Sequence, residues 1–589
     1  MRTATRRWTQ RILILSLVAF VGIGVWSPSL SSAADDMEWE TILTYQLKVD
    51  EGTVNLVSDV EITNKKGNRR DGNSIIQYYF DRIWIYVPEE AENLAVTSSG
   101  KELEYTVEEE VAKEDDIVGL DIIEIRFGKR LFYNRSIEIR VEYDLPGDDP
   151  RSESLFRVNP AYASFSVISW GDPGHIEVNV ILDDQFDVVA WGSDYDISRD
   201  GSNVVYTMTD IEDPEEWFMV FTARNDDELY ETDVDLADFD VKLRAWPSDQ
   251  WWASEIEGAV EEGLPVLHEL VGLAWRPEEE LEIRESIEPN LLGYGGWYLD
   301  GDDVIEIGEF VDRHLVLHEI GHSWFDSDLF VERWITEGLA DRYAWEAVRT
   351  LHWEGSTEAE PPDDPPARDG ILTPPLNDWT VPNADEIGVN RTEEYGYAMS
   401  WWLIDAITDE IGVEALSAVI AAADADEIAY RSGGPPEAVD AEDDWRRFLD
   451  LAQEIGGSTE APALFDEYVL GEDESLDERT AARGEYARLE KEAKTWATPL
   501  LIRQPMSDWD FVAATTRIEE ASSVLDLRDE IETITDELGV RLPPSLEEAY
   551  EAADGDFSAA TALAQDQLEA AAAVLAAKET VESEPSLLA

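Results

Sequence analysis

The chain has 589 residues, of which 44% are apolar and 22 are Trp, too many for one hydrophobic core and enough for several domains of about 150 residues each. Its 131 acidic and 44 basic residues give a formal charge of -87, which does not suit a nucleic-acid partner; with only ten lysines among the bases, it resembles the surface of a halophilic protein working in concentrated salt. The absence of cysteine excludes thiol catalysis, thiolate metal ligands and disulfides.

Arg2, Arg6, Arg7 and Arg11 precede an apolar run from Ile12 to Trp26, and Ser32-Ala33-Ala34 follows. This is the pattern of an export signal peptide over residues 1–34, and a run of about 15 residues, short of the roughly 20 a spanning helix needs, predicts cleavage rather than an anchor. Arg6-Arg7 permits twin-arginine export as well as ordinary secretion. The mature protein is expected outside the cell or at its surface, without a membrane span. Asn134-Arg135-Ser136 and Asn390-Arg391-Thr392 are glycosylation sequons.

From Glu38 to about Asp144, alternating runs such as Thr44 to Val49 and Ile137 to Tyr143 predict antiparallel strands, and a second β-rich stretch, with Ile176 to Val180 and Val204 to Met208, continues to about Ala223. Together they predict one large β-sandwich or two smaller sheets side by side. After Asp240 the texture turns to α/β, with a strand at Val241 to Arg244, a helix from Trp251 to Gly272 and a strand at Leu281 to Arg284. Gly293 to Tyr298 and Val304 to Ile307, joined through Asp300-Gly301, form a hairpin signal. Helices are expected from about Arg313 to Trp324 and from Trp334 to Leu351, then a Pro-rich surface loop or linker from Glu354 to Asn390. Beyond Glu393 the pattern is helical to the end, including Met399 to Ile411 and Phe557 to Lys578.

Within the first of those helices, His318-Glu319-Ile320-Gly321-His322 sets two imidazoles four residues apart, on nearly the same helical face, so that both reach one ion. A hydrolytic zinc site takes three protein ligands and leaves a fourth position for water. Fifteen residues beyond His322, Glu337 stands at the start of the next helix, which a loop of about ten residues lets fold back antiparallel. Asp341, one turn further, points to the same region and is placed to accept the outer N–H of His318 or His322.

His318 to Phe325, followed by Trp334-Ile335-Thr336-Glu337-Gly338-Leu339-Ala340, resembles the gluzincin zinc metallopeptidases, and within them the aminopeptidase-N-like branch. Glu394-Tyr395-Gly396-Tyr397-Ala398 is similar to the segment carrying that family's transition-state tyrosine, which implies the role for Tyr395, with Tyr397 as the alternative. The resemblance implies a multidomain protein: an N-terminal antiparallel β region over 35–225, a thermolysin-like α/β to α catalytic domain over 238–455, and an all-helical region over 456–589. It implies one Zn2+ ion on His318, His322 and Glu337, Glu319 as general base, and a peptide or protein substrate.

Two features depart from the family. The interval from His322 to Glu337 is shorter, and Gly293-Tyr294-Gly295-Gly296-Trp297-Tyr298 stands where the aminopeptidases carry Gly-x-Met-Glu-Asn to hold the substrate amine. Gly295 and Gly296 would still let an extended peptide approach an edge strand, and Asp300, Glu306 or Glu309 could replace the missing acid. The reading is therefore a zinc peptidase, aminopeptidase or endopeptidase. The alternatives are a non-catalytic surface protein on a metallopeptidase scaffold, or a zinc hydrolase acting on another bond.

Overall fold

A computed structural model describes residues 36–583, apart from 109–119, 153, 215, 278–279, 288–290, 292, 300, 358, 369, 371, 382–390, 440–442 and 472. The expected export segment, Asp300 and the sequon residue Asn390 lie outside the described residues. The chain divides into two compact units, Met1–Gly258 with Glu279–Val311, and Ala259–Glu278 with Asp312–Ala589. This division runs through the 238–455 region: its sheet belongs to the first unit and most of its helices to the second.

In the first unit the apolar alternation makes strands with one dry face. Along Met37–Lys48, Leu43 and Tyr45 are buried while Glu40 and Ile42 face out. An eight-stranded sheet runs Asp196–Asp200, Asn203–Met208, Ile176–Asp183, Met37–Lys48, Thr53–Asn64, Ser136–Pro146, Glu92–Ser98, Lys101–Glu102. Its pairings are antiparallel except that of Met37–Lys48 with Ile176–Asp183, which is parallel. A four-stranded sheet containing Tyr162–Ile168 and Phe218–Arg224, and a three-stranded one containing Tyr79–Pro88 and Leu120–Phe132, contribute to the same apolar core. Leu43, Val178, Phe165, Phe221, Ile85 and Ile123 all belong to it. On the outer face of the large sheet, Glu40 lies directly opposite Glu61, and Glu61 opposite Glu138.

A five-stranded mixed sheet completes this unit, in the order Tyr230–Asp233, Val241–Ala245, Leu281–Glu285, Val304–Ile307, Gly296–Leu299. Its inner pairs are parallel and its outer pairs antiparallel, so Gly296–Leu299 is an edge strand, paired through the hairpin expected at Asp300-Gly301. Gly301 sits at φ +85, where a side chain would be strained. Behind the sheet, Glu285 Oε2 accepts the Trp246 N–H at 2.7 Å, and Asp249 pairs with Arg151. Burial pushes the Glu285 carboxyl up to about 10 against the lowering effect of that N–H, and the Asp249 charge adds to the rise.

Helix α1 (Gln250–Val271) begins in the first unit and ends in the second. The second unit continues with α2 (Arg313–Gly321), α3 (Arg333–Thr350) and α4 (Arg391–Ile411). Beyond α4 the described residues form helices, among them Trp445–Glu454, Asp477–Ala493, Phe511–Leu538 and Ser558–Ser583, with one isolated bridge at Glu427 and Ala438. The fold class is the expected one: a β-rich N-terminal part, an α/β middle and an all-helical C-terminal part. No described helix is long and apolar enough to cross a membrane.

Candidate metal centre

The Asp312 carboxylate starts α2 by accepting the N–H groups of His314, at 2.8 Å, and Leu315. Val316, Leu317 and Ile320 are fully buried around the helix, so His314, His318 and Glu319 are dry as well. On α3, Glu337 and Asp341 stand one turn apart. Gly338 lets that helix meet α4, for a Cβ there would lie 2.6 Å from the Ser400 carbonyl oxygen.

These helices bring His318, His322 and Glu337 together. The two Nε2 atoms are 3.2 Å apart, and Glu337 Oε2 lies 3.2 Å from the first and 3.5 Å from the second. The outer nitrogens fix what the inner ones present. His318 Nδ1 is 2.9 Å from Asp341 Oδ1 and His322 Nδ1 is 3.0 Å from the Phe325 carbonyl, so each ring donates outward and turns a lone pair inward. Two lone pairs and a carboxylate oxygen thus converge with no donor among them, and Glu337 Oε2 is buried without a hydrogen-bond partner. Such a set repels itself until a positive charge enters. Burial lowers the His318 pKa, yet Asp341 and Glu337 hold it well above the ordinary imidazole range, which expresses the same demand. Three donors of the N, N, O type, all on one side of a small gap, fit a zinc ion. Burial also pushes the Glu319 carboxyl, adjacent in the chain, up to about 7.

The other oxygen of Glu337 is held from outside. The Tyr397 hydroxyl donates to Oε1 at 3.4 Å, and Arg333 Nε lies 3.6 Å from it. Arg333 donates to Tyr397 Oη at 2.9 Å, grips both oxygens of the buried Glu393 and stacks on the Trp379 ring at 4.2 Å. Trp379 in turn donates to Glu393 at 2.8 Å. It belongs to the segment read as a surface loop or linker, but there Leu376 and Trp379 are buried against α3 and α4.

The two candidate tyrosines are placed differently. Tyr395 does not face the cluster: its hydroxyl is buried without a hydrogen-bond partner, and its charged and phenolic neighbours are Arg368 and Tyr468. Two residues along a helix rotate by about 200°, so only one of the two tyrosines can face Glu337, and that one is Tyr397. Gly296 opens the edge strand of the first unit, buried, and Gly295 precedes it, exposed, its carbonyl accepting the Gly308 N–H at 2.9 Å. Of the three acids suggested as an amine anchor, Asp300 lies outside the described residues and the other two are held by arginines. Glu306 pairs with Arg224 at 2.6 Å, and Glu309 is gripped by the buried Arg157 at 2.6 and 2.9 Å.

Sequence reasoning missed Arg333, Trp379 and His314. Arg333 was visible as the i-4 partner of Glu337. His314 continues the four-residue histidine spacing, but it stacks on Trp401 at 4.8 Å and bonds the Asp341 carbonyl at 3.2 Å, a packing role. Nothing in a Pro-rich loop marks Trp379.

No protein-family model matches the chain, and no curated protein matches it by sequence. Its neighbours among solved structures are zinc metallopeptidases of the M1 class. One is the M1 zinc metallopeptidase from Deinococcus radiodurans, at 14% identity over 77% of this chain and 98% of that one, with a TM-score of 0.28. A mutant of that protein bound to a Tyr-Ser-Ala substrate matches at 13% identity, the same coverage and a TM-score of 0.27.

Proposed function

We propose that this chain is a zinc-dependent peptidase. The observation that carries the reading is the convergence of His318 Nε2, His322 Nε2 and Glu337 Oε2 with both outer ring nitrogens already committed as donors. Zinc, when bound there, supplies a Lewis acid that makes a water nucleophilic near neutral pH and polarises a carbonyl.

The chain's own residues supply the rest. Glu319, buried beside His318, accepts the water proton and returns it to the leaving amine. Asp341 keeps the His318 proton on Nδ1 so that Nε2 stays available. Arginines hold Glu306 and Glu309, which supports peptide cleavage in which neither of these two acids selects for a free amino terminus. The arginine-flanked apolar segment at the start of the sequence supports an extracellular or cell-surface location.

The test is a pair of variants. Glu319→Gln is expected to keep stoichiometric zinc while cleavage of a mixed peptide library falls at least about a hundredfold. Glu337→Ala is expected to lower zinc content itself, measured by chelator competition. Zinc bound equally well by the Glu337 variant would place the third ligand elsewhere, and normal cleavage by the Glu319 variant would remove the base. Zinc bound with no peptide cleaved would turn the reading to another bond.

A further inference from the structure

Positive charge is scarce in this chain, and two segments stand out as basic and almost free of acids. From Asn64 to Phe80 the only acid is Asp71, and from Lys129 to Ser136 there is none. Both segments belong to the first unit and meet. The Asn134 N–H donates to the Asn64 carbonyl at 2.8 Å, the Asn64 N–H donates to the Arg135 carbonyl at 3.1 Å, and Tyr79 is the cross-strand partner of Phe132. Between them a hairpin, Arg69–Asp71 with Ser74–Ile76, projects with every residue exposed.

Several of the charges and apolar groups here are exposed and without an ion-pair partner among the described residues. Lys65 and Lys66 pair with Glu38 and Asp36, but Arg69, Arg70, Lys129, Arg130 and Arg135 have no ion-pair partner among the described residues. Arg130 lies over the Tyr79 ring at 4.4 Å. Beside them Ile75 is 62% exposed at the hairpin, with Ile76, Tyr79, Phe132 and Tyr133 also exposed. Exposed aliphatic residues on the second hairpin strand, directly opposite Arg70 and Arg69 on the first, together with exposed rings at Tyr79, Phe132 and Tyr133, supply the apolar, interfacial and cationic groups that an anionic bilayer takes up. A polyanion would use the cations and leave Ile75 and Ile76 in water.

We propose that this basic, aromatic hairpin surface docks on an anionic lipid bilayer. The net charge of -87 does not forbid it. In the concentrated salt that the composition implies, the screening length is about 3 Å at 1 M, so a bilayer touching the hairpin senses its arginines rather than distant carboxylates.

The test uses the full chain, in salt at which circular dichroism shows it folded, with vesicles of phosphatidylglycerol and phosphatidylcholine against phosphatidylcholine alone. The anionic vesicles are expected to float the protein at least about tenfold better. Arg69→Gln with Arg70→Gln, and separately Ile75→Ser with Ile76→Ser, should each lower flotation about tenfold without changing the melting temperature, since all four residues are exposed. The N-terminal apolar run is the same in every variant, so equal flotation of wild type and variants would assign binding to that run and overturn the proposal. Wild-type binding to polyglutamate with no preference for anionic vesicles would make the surface a polyanion site instead. Self-association without vesicles, abolished by the same variants, would assign it to a second copy.

Discussion

Glu337 divides its two oxygens between two tasks. Oε2 faces the two Nε2 atoms, and Oε1 is held by Tyr397 with Arg333 close behind. A carboxylate fixed at one oxygen offers the other at a set angle, and losing such an outer partner commonly costs ten- to a hundredfold in metal affinity. Tyr397→Phe is therefore expected to weaken zinc binding about tenfold by chelator competition, and Tyr395→Phe to leave it unchanged; the reverse pattern would return Tyr395 to the site. The clustering of His318, His322 and Glu337 was legible because an i, i+4 histidine pair and a following glutamate are local patterns. The choice of tyrosine was not, because motif similarity fixes a segment while the helix's rotation, set by packing against α3, decides which phenol looks inward.

At the scale of elements, α4 meets α3 at Gly338 and the buried part of the Pro-rich loop at Gly396. A Cβ on Gly396 would stand 2.1 Å from the Trp379 ring, so Gly396→Ala must displace that indole from the Arg333–Glu393 pair. The expected cost is about 1–3 kcal/mol of stability, read by denaturant unfolding, together with weaker zinc binding. Unfolding and zinc affinity both unchanged would mean that the loop does not bear on the site. The mixed sheet carries its own titration. Glu285 has a higher pKa folded, about 10, than the ordinary carboxyl value, so it takes up a proton on folding. Its contribution is complete below the ordinary carboxyl range and is lost as pH rises toward about 10. Glu285→Gln, which keeps the Trp246 bond and carries no charge, should lose less melting temperature than wild type between neutral pH and about 10; parallel profiles would put the buried proton elsewhere. Element type along the chain was largely legible, from the Val304–Ile307 hairpin to α1 and the last long helix, because the periodicities of two and 3.6 are unmixed there. The buried part of the Pro-rich segment was not, since its structure comes from partners far along the chain.

For the whole molecule, the dominant compositional feature is its charge. The -87 surface is screened over about 3 Å at 1 M salt and about 30 Å at 0.01 M, so thermal stability should fall steeply as salt is removed. A melting temperature constant between those limits would contradict the salt-adapted reading. Composition revealed that balance at once. It did not reveal the division into units, because the chain leaves the first at Gly258, returns at Glu279 and leaves again after Val311, a path written in contacts rather than in sequence.

The row formed by Glu40, Glu61 and Glu138 gives that repulsion an address. Like charges directly opposite one another on adjacent strands oppose the pairing that aligns them. The three central strands of the large sheet should thus be where the molecule first yields as salt is withdrawn. In hydrogen exchange at falling salt, amides of Met37–Lys48, Thr53–Asn64 and Ser136–Pro146 should lose protection before those of Leu281–Glu285, whose sheet pairs Arg244 with Glu231 and Arg284 with Glu282. The large sheet would then act as the molecule's salt gauge, opening strand by strand while the mixed sheet stays closed.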